Sequence, residues 1–225
     1  MLAFDIGANR GDWTYAALTK GYDVIALEPG SIVKQLVKNF IYDPRVTPLK
    51  LAASMSDYET VEFYEADEDG LSTLNKDWLT NPDLPYCGKP FKQVLATTIT
   101  LDTLALKYGK PDLVKIDVEG AEWHVFKGMS NYMGKIAFEW TNATIDQHQL
   151  QLEYLMHGDY KLVAPQFIVN HCEEPEEWFD IRTFDLAQWV ADNSANWVDG
   201  GWQVAGLRPT ADVGMLWVRI GRAHV

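Results

Sequence analysis

The sequence predicts a doubly wound α/β fold built on a mostly parallel sheet, and three observations point to it. Residues 1–11, MLAFDIGANRG, run from a short apolar stretch through Asp5 into a turn made of Gly7, Ala8, Asn9 and Gly11. Strand, glycine-rich loop and helix start, in that order, open a nucleotide-binding βαβ unit. Residues 115–122, KIDVEGAE, repeat the design: apolar strand, acidic tip at Asp117, glycine, helix. Between and beyond these stretches, strand-like and helix-like segments alternate, which is the pattern of a parallel sheet covered by helices.

Each element has its own justification. Gly7 can take backbone angles closed to other residues, and Gly11 lets the helix start come close to the strand or a ligand. Segment 12–20 presents Trp13, Ala16, Ala17 and Leu18 as a helical face, stopped by Gly21. A second strand over 23–27 ends in Glu28 and Pro29. Ser31 is a good N-cap for a helix to residue 40 with Ile32, Leu36, Val37 and Phe40 on one face. Residues 46–53 read as the third strand, 55–58 as a polar turn and 60–66 as an exposed or edge strand.

From 67 to 90 the pattern breaks into acids, glycines and prolines around LSTL at 71–74. A connection this long is usually functional or disordered, so it is expected to form a flap over the cleft. A strand at 94–100 and a short helix at 101–108 lead to the strand at 113–118 that delivers Asp117, and a helix follows to Met129. The next buried strand, 135–140, carries Glu139. Thr141 and Asn142 then open a loop before a helix with Ile145, Leu150, Leu152, Leu155 and Met156. Strands are expected at 160–164 and 213–220. The insertion at about 166–212 holds Trp178, Trp189, Trp197 and Trp202, which either build a small core or offer stacking faces to a sugar.

Composition narrows the classes. A chain of 225 residues with 47% hydrophobic content suits one domain, 1–225, with these embellishments. No apolar run long enough to span a membrane is present, and the N-terminus lacks the flank and cleavage site of a signal peptide, so a cytoplasmic protein without a membrane partner is expected. The two cysteines have neither zinc nor disulfide spacing. A formal charge of −13, with no basic patch to offset it, argues against nucleic acid as a partner.

The opening loop also limits the ligand. A dinucleotide site needs a second glycine so that the backbone can approach a pyrophosphate, and Asn9 stands at that position. The remaining G-x-x-x-G turn suits a nucleoside without phosphates, such as S-adenosylmethionine. Glu28 falls close to the ~20-residue interval at which a ribose-binding acid is expected, and its oxygens can accept both hydroxyl protons. Residues 54–57 fall where a third strand tip would meet the adenine.

Taken together, FDIGANRG at 4–11, IALEP at 25–29, LAASMSDYETVEFY at 51–64, LSTL at 71–74, TLD at 100–102, KIDVEGAEWHVFKG at 115–128 and IAFEW at 136–140 resemble the FkbM-type S-adenosylmethionine-dependent methyltransferases. The resemblance implies a Rossmann-like class I methyltransferase fold with a mostly parallel seven-stranded sheet and helices on both faces. It also implies O-methylation of a small-molecule or carbohydrate hydroxyl. Carried over by position, Asp5, Gly7, Ala8, Asn9 and Gly11 would bind the methionine part, Glu28 with Pro29 the ribose, and Ser56 and Asp57 the adenine edge. Asp117 would face the sulfonium.

Methyl transfer requires an oxygen lined up behind the methyl group and a group to take its proton. The candidates are Asp117, Glu119, Glu139 and His148. For Glu119 the plainer role is that of an acid favoured by a helix N-terminus, and for His148 that of a surface helix residue. Asp117, Glu139 and Asn142 are hard oxygen donors of the kind magnesium or calcium takes, so a divalent metal stays open beside a purely orienting role. Two other classes remain in view: a non-catalytic glycan-binding or assembly module, and a nicotinamide-dependent oxidoreductase disfavoured by Asn9. The acceptor and the oligomeric state are not legible at this level.

Overall fold

The computed structural model describes residues 1–131, 133–157, 160–166, 172–193 and 213–219. It divides into two compact units, Met1–Phe138 with Asn170–Glu173, and Glu139–Val169 with Glu174–Val225. The first unit's elements are β1 (Leu2–Ile6), α1 (Asp12–Thr19), β2 (Asp23–Leu27), α2 (Val33–Phe40), β3 (Val46–Leu49), β4 (Ala52–Ala53), β5 (Thr60–Ala66), α3 (Lys76–Thr80), β6 (Phe91–Ile99), α4 (Leu101–Tyr108), β7 (Leu113–Ile116) and α5 (Glu122–Lys127). β8 (Lys135–Thr141) carries the chain onward into the second unit.

Strands β3, β2, β1, β7 and β8 lie side by side in that order, all parallel. Ala3, Phe4, Ile6, Val24, Leu27, Val114 and Ile116 are fully buried. Such unbroken apolar runs are what a parallel sheet covered on both faces demands. Register sets the chemistry of the sheet's end, because β1 and β7 align Asp5 with Lys115 and Ile6 with Ile116. Ile116 in turn pairs with Phe138, and each of these two strands delivers an acid one residue later, Asp117 and Glu139.

Three local readings change. The expected strand at 46–53 is divided: β3 stays on the edge of the parallel sheet, while β4 joins a second sheet of order β4-β6-β5. Pro48 sits in the edge strand, where a missing N–H costs no interior ladder bond. Ser31 does not cap α2 with its side chain; its N–H instead donates to Glu65 Oε1 of β5, and Ile32 stands at the cap position. Val37, expected on the buried face, is 41% exposed, and Val33 with Leu36 forms that face.

The segment 67–90 links the antiparallel strands β5 and β6 and has a core of its own. Leu71, Trp78 and Leu79 pack with Tyr64, backed by Leu84, Tyr86 and Phe91. Residue 73 pairs with Tyr64 as an extra bridge, and Asn75 caps α3 by accepting from the Asp77 N–H at 3.2 Å.

The second unit contains a short 3-10 turn at Asn142–Thr144, then α6 (Ile145–His157), β9 (Leu162–Gln166), β10 (Phe179–Asp180), α7 (Leu186–Asn193) and β11 (Val213–Arg219). β9 pairs antiparallel with both β10 and β11. Among the described residues the parallel set and this ribbon supply eight strands where the resemblance implied seven, the addition being the two-residue β10. Of the tryptophans in the insertion, Trp189 meets Trp140 edge to face at 6.4 Å, and Trp178 lies 3.9 Å under the Arg219 guanidinium. Trp197 and Trp202 lie outside the described residues. No helix among the described residues is long and apolar enough to cross a membrane.

Candidate active site

The opening loop is drawn over the sheet's end by its backbone. The Gly7 and Ala8 N–H groups both donate to Leu27 O, at 3.1 and 2.8 Å, which ties the loop to the end of β2. Gly7 has φ 79°, and a Cβ placed on it would stand 1.8 Å from the carbonyl oxygen of Asp117. Gly11, with φ 99°, leaves room for Phe40 and Leu36 of α2. Glycine is therefore required at both positions by conformation and by contact.

Glu28, buried at the end of β2, bridges two turns: Oε2 accepts from the Asn9 N–H at 3.0 Å and Oε1 from the Gly30 N–H at 2.7 Å. Burial pushes its carboxyl above the ordinary value, with these two N–H groups pulling it back. Pro29 follows in the same turn. A carboxylate has about four acceptor sites, so acceptor capacity remains on both oxygens.

Asp5 is fully buried and accepts from the Thr14 hydroxyl at 2.6 Å. Lys115 Nζ lies 3.4 Å from Asp5 Oδ1 and 3.3 Å from Asp117 Oδ2, and donates to Gly7 O at 2.8 Å. Burial raises the Asp5 carboxyl, while Lys115 and Thr14 act in the opposite direction. Asp5 Oδ1 and Asn9 Oδ1 are buried and make no hydrogen bond among the described residues.

The second turn mirrors the first. Glu119 has φ 56°, as Asn9 has φ 51°, and each is a non-glycine residue in the left-handed region. The flap holds this turn in place: Thr73 Oγ1 donates to Glu119 O at 2.8 Å, Asn75 Nδ2 to Gly120 O at 3.0 Å, and Trp78 Nε1 to Glu119 Oε2 at 3.0 Å. Flap residue Asp69 also reaches the opening loop, accepting from Asn9 Nδ2 at 3.0 Å and pairing with Arg10. The flap thus bonds to both turns.

Burial, then the charge of Asp117, raises the Glu119 carboxyl well above its ordinary value. Glu122, buried at the start of α5, accepts from the Gly120 N–H at 3.2 Å, and burial pushes its carboxyl up to about 7. A carboxyl raised from 4.5 to about 7 keeps its proton in the folded state over a window where the unfolded chain has released it. The stability that Glu122 contributes is then fully present below about pH 4.5 and is lost as pH rises through about 7. Glu122→Gln should flatten that fall, as read from urea unfolding at pH 5 and pH 8. An unchanged slope would exclude Glu122 as its source.

Asp57 accepts from the Thr100 N–H at 2.7 Å and the Thr103 hydroxyl at 2.7 Å, which engages its carboxylate at the N-terminus of α4. Ser56 stands beside it, half-buried. His148 is buried rather than on a helix surface: Nε2 accepts from the Thr141 N–H at 3.1 Å and Nδ1 faces Gln151 Oε1 at 2.9 Å. Burial lowers it to about 4, so it is neutral at pH 7 with both nitrogens engaged. Glu139 and Asn142 belong to the second unit.

Lys115, Trp78 and Asp69 were given no role by sequence reasoning. One signal was available for the first, since a lysine inside the apolar strand LVKI has to be paired if it is buried.

Residues 5–179 match the family model described as the methyltransferase FkbM domain, more than half of the chain. The chain belongs to that family. It is an S-adenosylmethionine-dependent methyltransferase with an α/β, class I methyltransferase-like fold. A search of curated proteins returns no match.

Among solved structures, it is similar to precorrin-6Y C5,15-methyltransferase from Geobacter metallireducens, at 11% identity and a TM-score of 0.43, covering 97% of this chain and 80% of that one. A S-adenosylmethionine-dependent O-methyltransferase from Thermotoga maritima gives 12%, 0.42, 100% and 61% for the same quantities. The glycopeptide N-methyltransferase MtfA, complexed with S-adenosyl-L-methionine, gives 10%, 0.35, 98% and 87%. At these scores the family match, not the structural likenesses, carries the assignment.

Proposed function

We propose that this methyltransferase acts on oxygen, methylating a hydroxyl of a small molecule or sugar, with the methyl donor bound along the opening loop and the second turn. The carrying observation is the set of acceptors gathered there. Asn9 Oδ1 is buried without a hydrogen bond among the described residues, and Glu28 ends β2 with spare lone pairs. A ligand rich in donors, with an ammonium group and two ribose hydroxyls, answers such a set, and a pyrophosphate does not.

In this reading Glu28 takes the ribose hydroxyls, and Asn9, with the loop of Gly7, Ala8 and Gly11, takes the amino-acid end. Asp5 holds the loop from below through Thr14 and Lys115. Ser56 remains a contact for the adenine edge, while Asp57 serves α4. When bound, S-adenosylmethionine supplies an electrophilic methyl group on a sulfonium.

The protein's part is to orient the acceptor oxygen in line and to remove its proton. We assign the proton to Glu119, which Trp78 holds at the second turn and which, once ionised, is a stronger base than an ordinary glutamate. Its proton returns to solvent after transfer. Asp117, at the adjoining strand tip, faces the donor's cationic end. His148 is left out because both of its nitrogens are engaged. The flap at 67–90 closes over the donor through Asp69.

Calorimetry with S-adenosylmethionine and S-adenosylhomocysteine tests the pocket, and heat from neither would refute it. Radiolabelled methyl transfer to a panel of hydroxylated metabolites, free sugars and matched amines tests the acceptor. Transfer to amines alone would refute O-methylation.

A further inference from the structure

The sheet buries one ammonium among several acids. Lys115 is 2% exposed, and register places it beside Asp5, so both side chains leave the sheet on the same face. A lysine that served only as counter-ion to Asp5 would need a single partner. Lys115 instead reaches Asp5 on β1 and one group on each turn, the Gly7 carbonyl and Asp117. Glu28 and Glu119, both raised by burial, also feel its charge, which opposes that rise in each.

The ammonium therefore sits at the centre of the acidic cleft, 3.3 Å from the acid at the second strand tip. A fixed positive charge there partly cancels the field that Asp117 projects onto a ligand, and in a water-poor site such a field acts strongly. The donor and the product of methyl transfer differ in this respect: S-adenosylmethionine carries a sulfonium cation, and S-adenosylhomocysteine a neutral thioether.

We propose that Lys115 is a specificity-determining residue that sets the pocket's preference between the cationic donor and the neutral product by shielding Asp117. It weakens the hold on the sulfonium, so that bound donor is destabilised relative to the state in which the charge has been lost. The proposal rests on the reading above that the donor binds between the two turns.

The test is calorimetric and needs no acceptor. The dissociation constants of S-adenosylmethionine, S-adenosylhomocysteine and sinefungin, whose amine replaces the sulfonium, are measured on the full chain and on Lys115→Met. The ratio of product to donor dissociation constants should rise about fivefold in Lys115→Met, with sinefungin following the donor. In an Asp117→Asn background the same substitution should leave the ratio within about twofold, because the shielded charge is gone.

A purely structural lysine would weaken all three ligands by one common factor, and an unchanged ratio would overturn the proposal. Where Lys115→Met fails to fold by circular dichroism, Lys115→Met with Asp5→Asn removes the buried acid left behind and supplies the ratio. If the unaltered protein binds none of the three ligands, the functional reading fails and not the role of Lys115 alone.

Discussion

Glu28→Gln is expected to weaken binding of S-adenosylmethionine about thirtyfold while leaving the protein folded. The carboxylate of Glu28 already accepts from the Asn9 and Gly30 N–H groups and, in the proposed reading, two ribose hydroxyls besides. Glutamine keeps one acceptor oxygen for this work and turns the other into a donor facing an N–H. A hydrogen bond to a charged group contributes about 1.5–3 kcal/mol, which sets the size of the loss. Glu28→Ala should lose about 100-fold or more and also some stability, since two backbone donors are left with nothing in a buried turn. Calorimetry and thermal unfolding separate the two effects. Affinity within about twofold of the unaltered protein in Glu28→Gln would remove the ribose from this carboxylate.

Gly7→Ala carries the second large effect. Two independent obstacles stand there, a φ of 79° and a carbonyl oxygen 1.8 Å from the new methyl carbon. That oxygen belongs to Asp117, so the loop cannot move away from it without disturbing the second turn. Its own N–H bond to Leu27 O resists the shift from the other side. Backbone strain of about 1–3 kcal/mol combines with a contact that no rotamer relieves, and a destabilisation of about 4 kcal/mol is expected. Urea unfolding measures it. A midpoint matching the unaltered protein would mean that the two turns are not locked together.

Most of the frame could be read from residue order, and the reasons differ from element to element. The opening turn was legible because glycine and asparagine at 7, 9 and 11 have few other uses beside an apolar strand. The strands of the parallel sheet were legible because burial on both faces leaves a continuous apolar run. The division of 46–53 was not, since Lys50 and Leu51 carry no signal that the chain changes sheets between them. Ser31 looked like a cap until Glu65, far away in sequence, took its N–H.

The site shows the same contrast. Local motifs located Asp5, Glu28, Asp117 and Glu119, but partners across the chain decide what each is free to do. Asp57 is engaged by Thr100 and Thr103, His148 by Thr141 and Gln151, and Glu119 by Trp78. Only His148 with Gln151, three residues apart on α6, has a helical spacing; Asp57 and Glu119 meet partners more than 40 residues away.

The flap's attachments carry a kinetic consequence. Asp69 holds the opening loop, and Thr73, Asn75 and Trp78 hold the second turn, so one connection fastens both banks of the proposed cleft. A nucleoside exchanging through that side has to wait for several hydrogen bonds to break together. On the proposed reading, turnover is expected to follow how often the strap lifts, and to stop responding to donor concentration once each opening finds a molecule waiting.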